Sequence, residues 1–366
     1  MKLYSPKIVF IIIFISSFVF SQQINEQNSY KIYFNYMPTF QSWKSDINEE
    51  LDFSQLSNII GLNFNISNQV SFSFRGGYAN INGDVDVLNG LSDSQIALKY
   101  RMQKYHLMLD GGINIPNGKK ELTEEEFLTS RIVSQNIFSM QIPNLGQGLN
   151  YYLGGAWANP LSDNIAIGVG LSYQIRGAYR PTLNNPEYQP SNELLLTGGF
   201  DYRLTNTATV SLDATGMFYG SDKIDDNEVF SAGRRIIVNL MYRQFFNHNI
   251  LSFLVRYRDQ ALDKLKGVLA TSENEKVNPN QLLLFSSFRQ RFSVAFLLSY
   301  LVEARFYEET ISEYSGYKIY GLGLEPVIRF SSRFEIPIIF KYIQGTNHND
   351  DKISGIEAGL GMRVWL

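Results

Sequence analysis

The chain has 366 residues, a formal net charge of −3, 26 Phe, 22 Tyr and no Cys. So balanced a charge offers no basic face to nucleic acid, and a mean hydropathy just below zero excludes a bundle of long apolar helices. Without cysteine there is neither a disulfide nor a thiol for an acyl anchor, so stability has to come from a large core or from lipid.

At the start, Lys2 and Lys7 precede an apolar stretch from Ile8 to Phe20, followed by the small residue Ser21. The run is too short to span a bilayer and has the layout of a secretory signal peptide. Residues 1–21 are expected to be removed, leaving 22–366 as one domain.

Beyond it, large apolar residues fall at every second position in segment after segment. The stretch "SNQVSFSFRGGYANI" (67–81) shows the pattern: Val70, Phe72, Phe74 and Tyr78 alternate with Ser71, Ser73, Arg75 and Gly77. A period of two is that of a strand with one apolar and one polar face. In chain order the alternation predicts strands over 30–36, 60–66, 70–78, 96–102, 105–115, 151–157, 165–175 and 194–202. It continues over 210–218, 236–242, 251–257, 282–288, 294–302, 320–328, 334–342 and 356–366. That makes about sixteen strands, or fourteen if 282–288 or 320–328 are misassigned.

The joins alternate in length. Short ones are expected at 67–68, 103–104, 162–164, 205–207, 247–249, 290–291 and 331–333. Between them lie longer polar joins at 41–56, 80–93, 116–148, 177–192, 219–233, 259–280, 307–317 and 343–354. This order is expected of an all-β, transmembrane, antiparallel up-and-down β-barrel, with short turns at one end and long loops at the other. In lipid every backbone polar group must be paired within the protein, which a closed barrel achieves. Phe72 and Phe74 would then face lipid. Tyr30, Tyr78, Tyr100, Tyr105, Tyr151, Trp157, Tyr173, Tyr202, Tyr242 and Tyr257 would form interfacial girdles.

The opposite parity gives the lumen. Its charged candidates are Arg75, Lys99, Arg101, Asp110, Arg203, Asp213, Arg243, Arg256, Arg258, Arg289, Arg291 and Arg305. Arginine dominates, which favours anionic solutes if the charges are free, although cross-strand pairing neutralises many such residues. An apolar group, Met241, Leu254, Phe285, Leu297 and Leu301, is expected near one height, either as a solute contact or as the seat of an inward loop. The longest loop contains "LTEEEFLTSRIVSQNIF". There Thr123 and Glu126 have capping-box spacing, and Phe127, Leu128, Ile132 and Val133 form the apolar face of a short helix expected to narrow the pore.

Catalytic chemistry has little to stand on. His106, His248 and His348 are the three histidines, and no Ser-His-acid or metal-ligand spacing accompanies them. No enzyme activity, cofactor or metal is expected.

Three short motifs, Leu91-Ser92-Asp93, Pro116-Asn117-Gly118 and Gly146-Gln147-Gly148, lie between Leu91 and Tyr179. This quarter of the chain resembles outer-membrane proteins of the phenol meta-pathway type, relatives of the long-chain fatty-acid channels. Ser92 and Asn117 stand where that family has Gly and Thr. The resemblance implies a transporter of hydrophobic or aromatic compounds. The combined expectation is a passive channel for small amphipathic, aromatic or anionic solutes in a Gram-negative outer membrane. Its partners would be the lipid bilayer, lipopolysaccharide, the barrel-assembly machinery and the solute. The alternative is a structural or assembly barrel of a secretion or adhesion complex, with partner proteins at its loops.

Overall fold

In the computed structural model Ile32, Phe64, Phe72 and Leu98 stand opposite one another on four successive strands. A second such row runs through Leu153, Tyr173, Leu194 and Phe218. Side chains of one parity therefore cover one face of a continuous sheet. The structure describes residues 31–46, 50–266 and 276–366. The expected signal peptide and Tyr30 lie outside the described residues.

The strands are β1 (Ile32–Ser45), β2 (Leu51–Asn65), β3 (Val70–Gly83), β4 (Leu88–Met102) and β5 (Leu107–Ile115). Next come β6 (Asn150–Pro160), β7 (Ile165–Arg176), β8 (Glu193–Thr205), β9 (Ala208–Tyr219) and β10 (Arg235–Phe246). Then follow β11 (Asn249–Gln260), β12 (Gln281–Arg291), β13 (Phe296–Tyr307), β14 (Lys318–Ser331) and β15 (Phe334–Thr346). The last, β16, runs Lys352–Leu360 and resumes after Gly361 as Met362–Trp365. Each pairs antiparallel with its sequence neighbour, and β1 pairs with β16 to close a sixteen-stranded barrel. Closure leaves no free sheet edge. At the seam Ile32 and Leu366 exchange two backbone hydrogen bonds of 3.0 and 2.9 Å.

Short turns gather at one end. In one of them Asn247 takes a left-handed backbone (φ 52) in a two-residue hairpin. The turn expected at 290–291 falls at 292–295, because β12 runs through Arg291 and the Ser293 hydroxyl accepts from the N–H groups of Ala295 and Phe296.

At the other end three expected loops are largely strand. β1 reaches Ser45 and β2 starts at Leu51; β3 reaches Gly83 and β4 starts at Leu88; β15 reaches Thr346 and β16 starts at Lys352. The reason is a change of sidedness. Over the middle of the wall the apolar residues face outward, with Leu153 72%, Leu322 63% and Val169 57% exposed. Nearer the loop end the outward residues are polar, such as Ser42, Lys44, Ser54 and Asn82, while Trp43, Phe53, Ile81, Leu88, Ile319, Ile343 and Ile353 point inward and are buried.

That inner group is the hydrophobic core, and the long loop between β5 and β6 fills it with Val133, Ile137, Phe138, Met140, Ile142 and Leu145. The loop carries the helix α1 (Glu124–Val133), and Thr123 and Glu126 form the expected capping box. Above the wall, Tyr188–Gln189, Asp222–Ile224, Asn227–Ser231 and Lys264–Leu265 form a four-stranded outer sheet.

Candidate functional site

The barrel interior is shaped by the 116–149 loop, and Asp93 holds both its ends. The Asp93 carboxylate accepts from the backbone N–H of Gly118 (2.9 Å) and of Gln147 (2.8 Å) and from the Asn114 amide (3.0 Å). Its own N–H donates to the Leu145 carbonyl at 2.8 Å. Asn117 accepts from the Ser94 N–H (2.8 Å) and donates to the Ser94 hydroxyl (2.9 Å). All three motifs singled out in the sequence thus meet in one clasp. A Cβ on Gly118 would lie 2.0 Å from the Leu145 carbonyl oxygen, and Gly148 has φ +82, so the clasp needs glycine at both.

The far part of the loop is seated by polar groups on the wall. Gln55 donates to the Ile142 carbonyl (2.7 Å) and accepts from its N–H (3.1 Å). Gln41 donates to the Ser139 carbonyl (3.2 Å) and accepts from the Gln141 N–H (2.8 Å). The Gln141 side chain in turn donates to Glu357 at 3.4 Å. Gln41 and Glu357 are register partners across the β1–β16 seam, so the loop bonds both sides of it. On β13, Arg305 donates to the Ile137 carbonyl (3.1 Å) and to the Ser139 hydroxyl, and the Tyr307 hydroxyl donates to the Asn136 carbonyl at 3.2 Å. Buried Glu303 pairs with Arg305 at 3.1 Å and with Lys341 at 2.7 Å. Phe138 is fully buried, with ring centroids 5.4, 5.0 and 5.8 Å from Trp43, Phe53 and Tyr314.

The segment that enters the barrel is therefore 136–145, and α1 sits beside it at the loop end. Phe127 and Ile132 pack on the core, but Leu128 is 53% exposed, so the helix presents a narrower apolar face than the sequence suggested. Thr129 donates to the Asp86 carbonyl at 3.0 Å, which ties α1 to the β3–β4 join, and Glu126 pairs with Lys119 at the start of the same loop. Burial raises the phenol pKa values of Tyr314 and Tyr317 in the loop that caps this core, so both stay neutral.

The core cluster contains no residue of β5–β12 among the described residues. Those strands carry eight of the thirteen arginines on the barrel strands. Asn239, Arg256 and Leu283 form one inward row; the next toward the turns is Met241, Leu254 and Phe285; the third is Arg243, Ser252 and Ser287. Arg256 donates to the Asn239 carbonyl oxygen at 2.7 Å, Asn239 donates to Asp213 at 2.9 Å, and Arg289 donates to the Ser299 hydroxyl at 3.2 Å.

Of the predicted apolar group, Met241, Leu254 and Phe285 lie side by side. Leu301 is one step nearer the turns, opposite Ser287. Leu297 faces Arg291 and Val327 close to the turn end, so the five do not share one height; strand shear displaces them along the wall. Nor does the inward loop rest on them.

Arg258 is buried and reaches the Pro279 carbonyl (3.5 Å), and Arg305 is committed to the loop, so neither side chain is open to the lumen. Lys99 and Asp110 are register partners on β4 and β5. Arg75, Arg101 and Arg203 lie on inward positions of β3, β4 and β8 with no ion pair among the described residues. Gln41 and Gln55, which do most to seat the loop, fell in a predicted loop and carried no sequence signal as inward residues.

No family model and no curated protein matches the chain. Among solved structures it is similar to a triple mutant of the Rhodopseudomonas blastica porin, at 11% identity and TM-score 0.41, covering 92% of this chain and 100% of that one. It is also similar to CymD, a monoaromatic hydrocarbon channel, at 9% identity and TM-score 0.45, with 92% and 89% covered. A third is the translocator domain of the autotransporter NalP from Neisseria meningitidis, at 6% identity and TM-score 0.35, with 94% and 95% covered. Likeness at this level carries no argument about substrate or activity.

Proposed function

We propose that the chain, exported behind a cleaved leader, is an outer-membrane channel that passes small amphipathic, aromatic or anionic solutes by passive diffusion. The observation that carries this reading is the reversal of sidedness along the wall. A protein in water would not leave Leu153, Leu322 and Val169 facing solvent while placing arginines inside. An outward apolar band with a polar interior is what a barrel in lipid requires. Above that band the same strands become apolar inside and polar outside, as suits a part that stands in water.

The inward loop narrows the lumen beside β1–β4 and β13–β16 and leaves the wall of β9–β12 clear of its core residues. Along that wall a solute would meet Arg256, then Met241, Leu254 and Phe285, then Arg243 and Arg289, a sequence of contacts suited to an amphipathic anion. The bilayer, lipopolysaccharide and the barrel-assembly machinery are the partners this reading requires.

Reconstitution of the full chain in planar bilayers tests it. Discrete conductance steps with a preference for anions are expected. A protein that is monodisperse in water without detergent sinks the membrane assignment. A silent barrel that co-purifies with other proteins favours the assembly role instead.

A further inference from the structure

Two arginines meet on the inner face near the loop end. Arg258 on β11 stands opposite Ile237 of β10 and Arg235 stands opposite Gln260, so the two are diagonal neighbours on one face, within reach of side chains of this length. Both are buried, at 6% exposure. Their register partners Ile237 and Met217 are buried apolar side chains that offer no oxygen.

Arg235 is well held. Its Nε donates to the Gln260 carbonyl oxygen at 2.7 Å, its guanidinium lies over the Tyr219 ring at 5.9 Å, and it acts on the carboxylate of Glu193. Arg258 is poorly held. Nη2 reaches the Pro279 carbonyl at a long 3.5 Å, Nε has no acceptor, and the side chain makes no ion pair among the described residues. The groups that act most strongly on its charge are Arg235, Tyr307, Tyr219 and Arg256, two like charges and two phenols. The buried acids at this end are engaged elsewhere: Glu193 with Arg176, Asp222 with the Tyr188 hydroxyl and the Ser191 N–H, Asp263 with the Gly233 N–H, and Glu303 with Arg305 and Lys341. Asp259, next in sequence, stands on the outward face opposite Ile236.

A guanidinium shut off from water without a counter-charge is among the costliest arrangements in a fold. A buried polar atom with no partner in the chain marks a place filled from outside it. Water at Nε would complete the hydrogen bond but leave the charge uncompensated, whereas an anion does both. The closed, apolar flanks suit an ion of about the size of a water molecule, not an organic acid.

We propose that a small inorganic anion of the halide class sits at the Arg258 Nε beside Arg235 and fastens β11 to β10 there. The site depends neither on the membrane reading nor on conduction through the lumen.

The test follows the thermal midpoint of the full chain by far-ultraviolet circular dichroism, in a non-ionic detergent, with chloride, bromide or gluconate at one ionic strength. Chloride and bromide are expected to raise the wild-type midpoint to a plateau, and gluconate, too large for the site, to leave it lower. Arg258→Met should lose the halide response and, in gluconate, melt no lower than the wild type, because the charge that needed a partner has gone. Arg101→Gln, which removes an exposed inward arginine, should keep the response. Crystals grown with bromide should show an anomalous peak at the Arg258 Nε, a reading that stands even where Arg258→Met does not fold. Equal midpoints in chloride and gluconate, a halide response that persists in Arg258→Met, or bromide found only at exposed arginines each overturns the proposal.

Discussion

The Gln55 side chain pairs with the backbone of Ile142 as a neighbouring strand would, giving one hydrogen bond and receiving one at 2.7 and 3.1 Å in a buried setting. Replacing it by Leu leaves a buried N–H and C=O without partners, at about 1–3 kcal/mol each. Gln55→Leu should therefore release the loop from the wall. Single-channel recording should show higher conductance with frequent transitions between levels, and an unchanged steady trace would argue against a narrowing role for 136–145.

Asp93 acts at the other end of the same loop. Asp93→Ala removes the acceptor shared by Gly118, Gln147 and Asn114, and the loop should become open to protease at both ends. Asp93→Asn keeps one acceptor oxygen and should be cut more slowly. Limited proteolysis of folded protein, with fragment masses mapped to 116–149, reads the order.

Phe138→Ala empties the centre of the inner core. A cost of about 3–5 kcal/mol follows from such a truncation in a packed site. The midpoint of the heat-dependent gel-mobility shift should fall, although the lipid-facing surface is untouched.

Arg256→Glu together with Arg289→Glu should reverse any anion preference, measured as a shift in reversal potential across a salt gradient. Arg258→Glu should behave differently. That side chain is buried at the loop end, so reversing its charge should lower the yield of folded barrel rather than alter selectivity.

In the first turn of α1, the Glu125 carboxylate accepts from its own backbone N–H and from the Thr123 hydroxyl, which holds it below the ordinary carboxylate range. A lowered pKa in the folded state adds stability that is complete above the unfolded value near 4.5 and is lost as pH falls through the folded value. Pepsin cleavage at Phe127–Leu128 should therefore rise on acidification below that range, and the rise should be smaller in Glu125→Gln.

The barrel was legible because its signal is repeated: Tyr151-Leu153 or Ile167-Val169-Leu171 need only a period of two to be read as outward rows. What escaped was the second phase of the same pattern. Trp43, Phe53 and Ile81 are also spaced by strand geometry with their neighbours, but on the opposite parity, so the outward alternation alone ends β1 and β3 too early and starts β2 too late. The capping box of α1 was visible because it is local in sequence, whereas the seats of the loop were not. Gln41 and Gln55 lie about a hundred positions from Ser139 and Ile142, with |i−j| of 98 and 87, and only the register of β1 against β2 and β16 brings them there.

The contact of Gln141 with Gln41 on the first strand and Glu357 on the last sets an order of events in assembly. Neither half of that docking place exists in full until the two chain ends have met, so the segment cannot reach its resting position during hairpin-by-hairpin growth. Insertion would thus pass through a wide, unobstructed cylinder whose final zipping and internal narrowing are completed together, and a chain lacking the segment would keep a more easily separated seam.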